Sequence, residues 1–110
     1  MESKFGYQLT QKANADIDDI VSYLAMTLSN PKSASDFVDK LQAAIEEIRM
    51  FPASSPQVSN EYMPNLDVRK KLIGSYIMYY LPDYTKKLIF ILRIIYGRRN
   101  MDEILRQLDT

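Results

Sequence analysis

The chain has 110 residues, a length typical of one domain that buries a core without help from a metal or a disulfide. It contains no His and no Cys, which excludes imidazole bases, thiolate nucleophiles and the metal sites built from either side chain. Fourteen Lys and Arg balance fourteen Asp and Glu, and this neutrality weighs against a broad basic surface for nucleic acid.

The first 28 residues predict a short strand followed by a helix. Residues 5–9 alternate between apolar and small or polar side chains, as a half-buried strand does, and Thr10 then offers an N-cap oxygen. From Ala13 onward, apolar residues recur at spacings of three and four, which predicts a helix to about Leu28. Acidic side chains near its start are expected mainly on the opposite face: Asp16, Asp18 and Asp19.

A second helix should follow at once. Asn30-Pro31 supplies a cap and a proline for the first turn, and Pro52 ends the helix. Because only two or three residues join the two helices, they should form an antiparallel hairpin with a shared apolar seam. Residues 52–64 are rich in Pro, Ser and Asn, which is typical of a surface loop.

Three strand patterns come next: residues 68–73, 76–81 and 88–96. Gly74-Ser75 predicts a two-residue hairpin turn of type II′, with Gly at its first position. The last pattern is almost wholly apolar apart from Arg93, as in a central strand that is covered on both faces. Residues 100–103 then resemble a capping box for a short helix that ends at Leu108.

No apolar run approaches the length needed to cross a membrane, and the N-terminus lacks the pattern of a secretory signal. We therefore expect a soluble cytoplasmic protein that binds no membrane. No metal and no cofactor are expected, since the sequence offers no pattern of ligands for either.

The positive charge is concentrated in the strands. Residues 67–100 contain eight Lys and Arg against two Asp and Glu, whereas residues 1–66 contain five against nine. Arg69 and Lys71 should share one face of their strand, since side chains alternate with a period of two. They would suit a phosphate, or they would form a charged edge that prevents aggregation of sheets.

Three arginines and one tyrosine near the last strand are the other candidates for a binding site. Arg93 needs a carboxylate or backbone partner if it is buried, or it has a binding role. Tyr96 stands among tyrosines that either stack bases or pack the hairpin. Arg98 and Arg99 follow the strand, where they would bind phosphate or carboxylate, or lie in a solvated turn.

The order of these elements, together with short motifs, resembles the RelE/ParE superfamily of bacterial type II toxin-antitoxin toxins. The motifs are Tyr7-Gln8-Leu9-Thr10, Asp16-Ile17-Asp18-Asp19-Ile20 with Tyr23, Val68-Arg69, Gly74-Ser75-Tyr76 and Arg93-Ile94-Ile95-Tyr96-Gly97-Arg98-Arg99. The resemblance covers almost the whole chain and implies that residues 1–110 form one toxin domain. It implies an α+β fold with an N-terminal strand, an antiparallel two-helix hairpin, a three-stranded antiparallel meander to which the N-terminal strand is added, and a short C-terminal helix.

The superfamily contains two activities. RelE-like members cut messenger RNA on the ribosome, and ParE-like members poison DNA gyrase. Arg69, Lys71 and Arg99 match basic positions of the RelE-like pattern, but Ile77 and Leu105 stand where that pattern has an arginine and a tyrosine. Tyr96 would have to replace the missing acid or base, and phenols are poor bases at neutral pH.

The resemblance therefore favours a ParE-like gyrase poison from a plasmid-stabilisation or stress module, and not an enzyme. The alternative is a RelE-like, ribosome-dependent mRNA endonuclease that uses Arg69, Lys71, Arg99 and Tyr96. A third hypothesis is a non-toxic module that only binds an antitoxin. In each case the resemblance implies a hetero-oligomer with a cognate antitoxin, whose contacts we expect at the apolar side chains of the last helix: Ile104, Leu105 and Leu108.

Overall fold

The computed structural model describes residues 4–58 and 66–97. The elements are β1 (Gly6–Leu9), α1 (Gln11–Ser22), a π-helical segment (Tyr23–Thr27), α2 (Pro31–Met50), β2 (Arg69–Ile73), β3 (Tyr76–Asp83) and β4 (Leu88–Tyr96). The predicted final helix, with Ile104, Leu105 and Leu108, lies outside the described residues, as do Arg98 and Arg99. No helix within residues 4–58 and 66–97 is long and apolar enough to cross a membrane.

The four strands form one mixed sheet in the order β1-β4-β3-β2. β2, β3 and β4 make the predicted antiparallel meander, and β1 adds to it in parallel with β4. The β2–β3 turn has a positive φ of 59° at Gly74 but not at Ser75, which is the pattern of the predicted type II′ turn. The α+β arrangement is therefore confirmed for the described part of the chain.

Both helices cover the same face of the sheet. Thr10 and Asn30 cap α1 and α2 with their side-chain oxygens, as predicted. The apolar stripe of α2, which includes Phe37 and Ile48, packs against the sheet residues Met78 and Tyr80. The Tyr80 hydroxyl donates a 3.0 Å hydrogen bond to the Pro52 carbonyl and so ties the end of α2 to the sheet.

A second, smaller apolar cluster lies on the other face of the sheet, formed mainly by residues that alternate along the strands with those of the main core. It contains Val58, Val68, Tyr79 and Ile95. Because β4 contributes Ile91 and Ile94 to the main core and Ile95 to this cluster, it is apolar along both faces, as predicted for a central strand. Burial raises the pKa of both Tyr79 and Tyr80.

A β-bulge in β4 and the cap of α1 are joined through one hydroxyl group. Leu92 is the extra residue of the bulge, since Ile91 faces Tyr80 while Arg93 faces Tyr79. The Thr10 hydroxyl donates to the Leu92 carbonyl at 2.8 Å and accepts from the Ala13 amide at 3.1 Å. The start of α1 is thereby fixed beside the edge of β4.

Candidate functional site

Arg93, the charge inside the most apolar strand, is paired with Asp16 of α1. The Arg93 Nε lies 2.7 Å from one carboxylate oxygen of Asp16, and its Nη2 lies 3.0 Å from the other. The prediction that the acidic residues of α1 lie mainly on its solvent face is therefore wrong for Asp16. The carboxylate is turned inward because a guanidinium that is only 8% exposed requires a charged partner.

Asp16 also accepts a hydrogen bond from the backbone of β4. β1 pairs with β4 only as far as Ile91, so the Ile94 amide lies beyond the end of that pairing. One oxygen of Asp16 accepts a 2.9 Å hydrogen bond from this amide. The hydrogen bond that Arg93 donates to Asp16, opposed by desolvation, raises the pKa of Arg93, which stays charged. Of the two interpretations of Arg93, structural pairing is the one that its contacts support.

Arg69 anchors the segment that follows α2. Its guanidinium donates to the carbonyls of Ser55 at 2.7 Å and Ala53 at 3.1 Å, and its Nε lies 3.1 Å from the Asp67 carboxylate. Backbone hydrogen bonds from Lys70 to Pro56 and from Val58 to Val68 hold the same segment along the outer edge of β2. Arg69 thus directs three of its five N–H donors to protein acceptors, and its side chain is 15% exposed.

Lys71 shares the helix-covered face of β2 with Arg69, as predicted from the strand period, since their cross-strand partners Met78 and Tyr80 both belong to the main core. Its ammonium lies 2.9 Å from the Glu47 carboxylate on α2. The Lys71 side chain is 18% exposed and that of Glu47 is 56% exposed, so this pair lies at the edge of the helix-sheet interface. It links α2 to β2 rather than facing open solvent alone.

The predicted site residues that the structure describes lie on two strands that are not neighbours in the sheet. Arg69 and Lys71 lie on β2, at one edge of the sheet, whereas Arg93 and Tyr96 lie on β4, with β3 in between. Arg98 and Arg99 are outside the described residues. Among the described residues no group of three or more Asp and Glu is arranged to hold a metal ion.

Tyr96 lies instead in an open cleft of about 760 Å³ between α1, the π-helical segment and the ends of β3 and β4. We call this the tyrosine cleft, because Tyr23, Tyr76 and Tyr96 all line it. The rings of Tyr76 and Tyr96 meet edge to face with centroids 5.9 Å apart, and Tyr76 makes the same kind of contact with Phe37 at 5.2 Å. The other residues that line the tyrosine cleft are Asp16, Asp19, Ile20, Leu24, Leu28, Ser75, Ile94 and Ile95.

The three tyrosines of the cleft differ in exposure. Tyr23 and Tyr96 are 49% and 46% exposed, whereas Tyr76 is half-buried between them and the core. Burial raises the pKa of Tyr76, and the neighbouring phenol groups of Tyr23 and Tyr96 raise it further. Sequence reasoning did not place Tyr23 or Asp19 in a site. Tyr23 follows Ile20 by three residues, so its position beside the apolar stripe of the helix was the available signal.

A family model described as the ParE toxin of type II toxin-antitoxin system, parDE, matches residues 7–101. The chain belongs to this ParE toxin family. The match spans every strand and helix that the structure describes except the first residue of β1, and it agrees with the predicted membership of the RelE/ParE superfamily. No curated protein sequence matches the chain significantly.

Solved structures show the same fold. The chromosomal ParDE system of P. aeruginosa matches with a TM-score of 0.66 and 22% identity, over 84% of this chain and 96% of that one. The toxin-antitoxin complex RelBE2 of Mycobacterium tuberculosis matches with a TM-score of 0.60 and 14% identity, over 86% and 99%. The archaeal RelE-RelB complex of Pyrococcus horikoshii OT3 matches with a TM-score of 0.59 and 13% identity, over 89% and 100%.

Proposed function

We propose that this ParE-family chain inhibits growth by poisoning DNA gyrase and is neutralised by a cognate antitoxin. The observation that carries the proposal is the state of the cations that an RNA-cleaving relative would need. Arg69 is bound by two carbonyls and a carboxylate, and Lys71 is bound by Glu47. These contacts fix the protein's own architecture.

Cleavage of RNA by attack of a 2′-hydroxyl requires a group that takes a proton and cations that stabilise the charge developing on phosphate. The described part of the chain offers tyrosines for the first task. Burial raises the pKa of Tyr76, Tyr79 and Tyr80, so these phenols stay protonated at neutral pH and do not serve as bases. This excludes these three phenols as the base, and Tyr96, the residue that a RelE-like endonuclease would use, is not among them.

The alternative is a RelE-like, ribosome-dependent endonuclease. Its support is that Arg69 and Lys71 share one face of β2, and that two of the similar solved structures contain RelE proteins. Under this alternative the active site would contain Arg69, Lys71, Tyr96 and Arg99. A module that binds an antitoxin and has no toxicity is the third possibility, and it would be silent in any growth assay.

The test is pulse labelling of DNA and protein synthesis in bacteria during the first minutes after the chain is induced without an antitoxin. A gyrase poison should stop thymidine incorporation first and induce a DNA-damage response while amino-acid incorporation continues. An endonuclease should stop amino-acid incorporation first. A gene with a stop codon in place of the Gln11 codon, induced from the same promoter, provides the baseline without toxin.

A further inference from the structure

The tyrosine cleft combines apolar walls with a surplus of negative charge. Ile20, Leu24 and Leu28 supply the apolar wall on the helical side. The described lining contains two carboxylates, Asp16 and Asp19, and no Lys or Arg. A concave surface of this composition favours a ligand that is apolar over most of its length and carries positive charge.

The two carboxylates of the cleft are not equivalent. Asp16 is fully engaged by Arg93 and by the Ile94 amide. Asp19 lies one helical turn further along α1, is exposed, and makes no ion pair with any residue in 4–58 or 66–97. Asp19 is therefore the carboxylate that a bound cation would neutralise.

The aromatic rings add a second preference for a cation. Tyr23 and Tyr96 each leave nearly half of their surface to solvent, while Tyr76 is half-buried and its ring contacts those of Phe37 and Tyr96. The face of a tyrosine ring attracts a guanidinium or ammonium group placed above it. Aromatic faces and a nearby carboxylate together form a site for an arginine or lysine side chain.

The helix changes from α-helical to π-helical hydrogen bonding where it borders the cleft. Residues Tyr23–Thr27 form a π-helical segment, and this change of winding directly precedes Leu28. π-Helical turns are rare and are frequently found at functional sites. Met26, on the same segment, is 77% exposed.

We propose that the tyrosine cleft receives an arginine or lysine side chain from the antitoxin, with Asp19 as its carboxylate partner and Tyr23 and Tyr96 as its aromatic contacts. Apolar residues beside that cation cover Leu24, Leu28 and Met26. The inference rests on the proposed antitoxin partnership and not on the identity of the toxin's target. The charge complementarity of Asp19 decides for a basic segment over a neutral or acidic one.

The test uses the full chain with ¹³C-labelled tyrosine and two synthetic peptides, acetyl-Ala-Leu-Ala-Arg-Leu-Ala-Ala-amide and the same peptide with citrulline in place of Arg. Citrulline keeps the shape of arginine but lacks its charge. The arginine peptide should shift the ring resonances of Tyr23, Tyr76 and Tyr96 and bind about tenfold more tightly than the citrulline peptide. Tyr7 and Tyr84, which are exposed elsewhere, serve as internal controls.

Two variants show whether the preference comes from the cleft. Asp19→Asn should reduce the tenfold ratio to about threefold, because it removes the charge, keeps the size of the side chain and leaves the aromatic contacts in place. Asp39→Asn, which removes an exposed carboxylate on α2 that does not line the cleft, should leave the ratio unchanged. Equal affinities for the two peptides, no binding by either up to millimolar concentration, shifts centred on Tyr7 or Tyr84, or an unchanged ratio in Asp19→Asn would each overturn the proposal.

Failure of this inference can be told apart from failure of the proposed function. Binding to the cleft is measured on the purified chain, whereas the toxic activity is measured as DNA and protein synthesis in cells. A chain that prefers the arginine peptide but stops translation first refutes the gyrase proposal alone. A chain that stops DNA synthesis first but does not distinguish the two peptides refutes the cleft proposal alone.

Discussion

Three basic side chains of the sheet have carboxylate partners within the chain, whereas three polar side chains of the tyrosine cleft are open to solvent. Arg69, Lys71 and Arg93 each reach a carboxylate of this chain within 3.1 Å. In the cleft, Asp19 and the hydroxyl-bearing rings of Tyr23 and Tyr96 face solvent instead. Three of the eight basic residues between positions 67 and 100 thus make contacts within the fold, while the tyrosine cleft leaves a carboxylate and two aromatic rings open to solvent.

The largest effect should come from breaking the buried pair. Asp16→Ala leaves Arg93 charged and without its carboxylate, and it also removes the acceptor of the Ile94 amide, so the free energy of unfolding should fall by about 3 kcal/mol. Urea unfolding measures the loss. The matched control is Asp36→Ala, whose exposed pair with Lys32 should contribute no more than about 0.5 kcal/mol. Equal losses in the two variants would show that the pair is not structural.

Removing the anchor of the 53–58 segment should have the next largest effect. Arg69→Met loses hydrogen bonds to two carbonyls and the contact with Asp67, and we expect destabilisation of about 1–2 kcal/mol in urea unfolding. Lys70→Met on the same strand is the control, and it should change stability by less than about 0.5 kcal/mol. If the two substitutions were equally tolerated, Arg69 would be free for another role.

Lys71→Met should have a smaller effect on stability. Its partner Glu47 is more than half exposed, so the pair contributes at most about 1 kcal/mol. Growth inhibition on induction should be unchanged for the soluble, folded variant. A variant that unfolds like wild type but no longer inhibits growth would place Lys71 in the toxic machinery.

Substitution in the tyrosine cleft should leave stability almost unchanged and weaken partner binding. Tyr23→Gln removes an aromatic side chain that is about half exposed, so the free energy of unfolding should change by about 0.5 kcal/mol or less. Binding of the arginine peptide should weaken severalfold, as measured by the ring resonances of Tyr76 and Tyr96. If Tyr23→Gln destabilised the chain as much as Arg69→Met does, Tyr23 would be a structural residue like those of the sheet and not part of an open binding surface.

The smallest effect concerns pH. Hydrogen bonds from Lys4 and then Arg49 lower the pKa of Glu46 below its ordinary value of 4.5. A lowered pKa in the folded state stabilises the protein above the unfolded-state value, and this stabilisation is lost as pH falls through the lower folded-state value. Wild type should therefore be slightly more stable than Glu46→Gln at pH 7, and the difference should decrease below pH 4.5 and vanish once pH is below the lowered folded-state pKa. A difference that persisted in acid would contradict the pairing.

Much of the fold followed from sequence because its signals are local. Thr10, Asn30-Pro31 and Gly74-Ser75 carry the chemistry of caps and turns in their own side chains, and the structure places each where that chemistry requires. The apolar stripe of α2 likewise has a single stable orientation against a sheet.

The site was harder to predict because it depends on contacts between distant residues. Asp16 and Arg93 are 77 positions apart, and no periodicity of α1 shows that one of its three early carboxylates turns inward. The rewinding of Tyr23–Thr27 has no recognisable sequence signal, yet it borders the tyrosine cleft. Charge concentration alone did not show that Arg69, Lys71 and Arg93 have carboxylate partners within the chain, because it does not reveal which charges are paired.

The central claim is that the basic residues of the sheet maintain the fold and do not cleave RNA. Its most direct test is to incubate the purified wild-type chain with ribosomes programmed with a defined messenger RNA and to map cuts by primer extension. The account predicts no cut within the ribosomal A site. A cut there that is lost in Lys71→Met, while that variant unfolds in urea like wild type, would contradict the account and make Lys71 part of an active site.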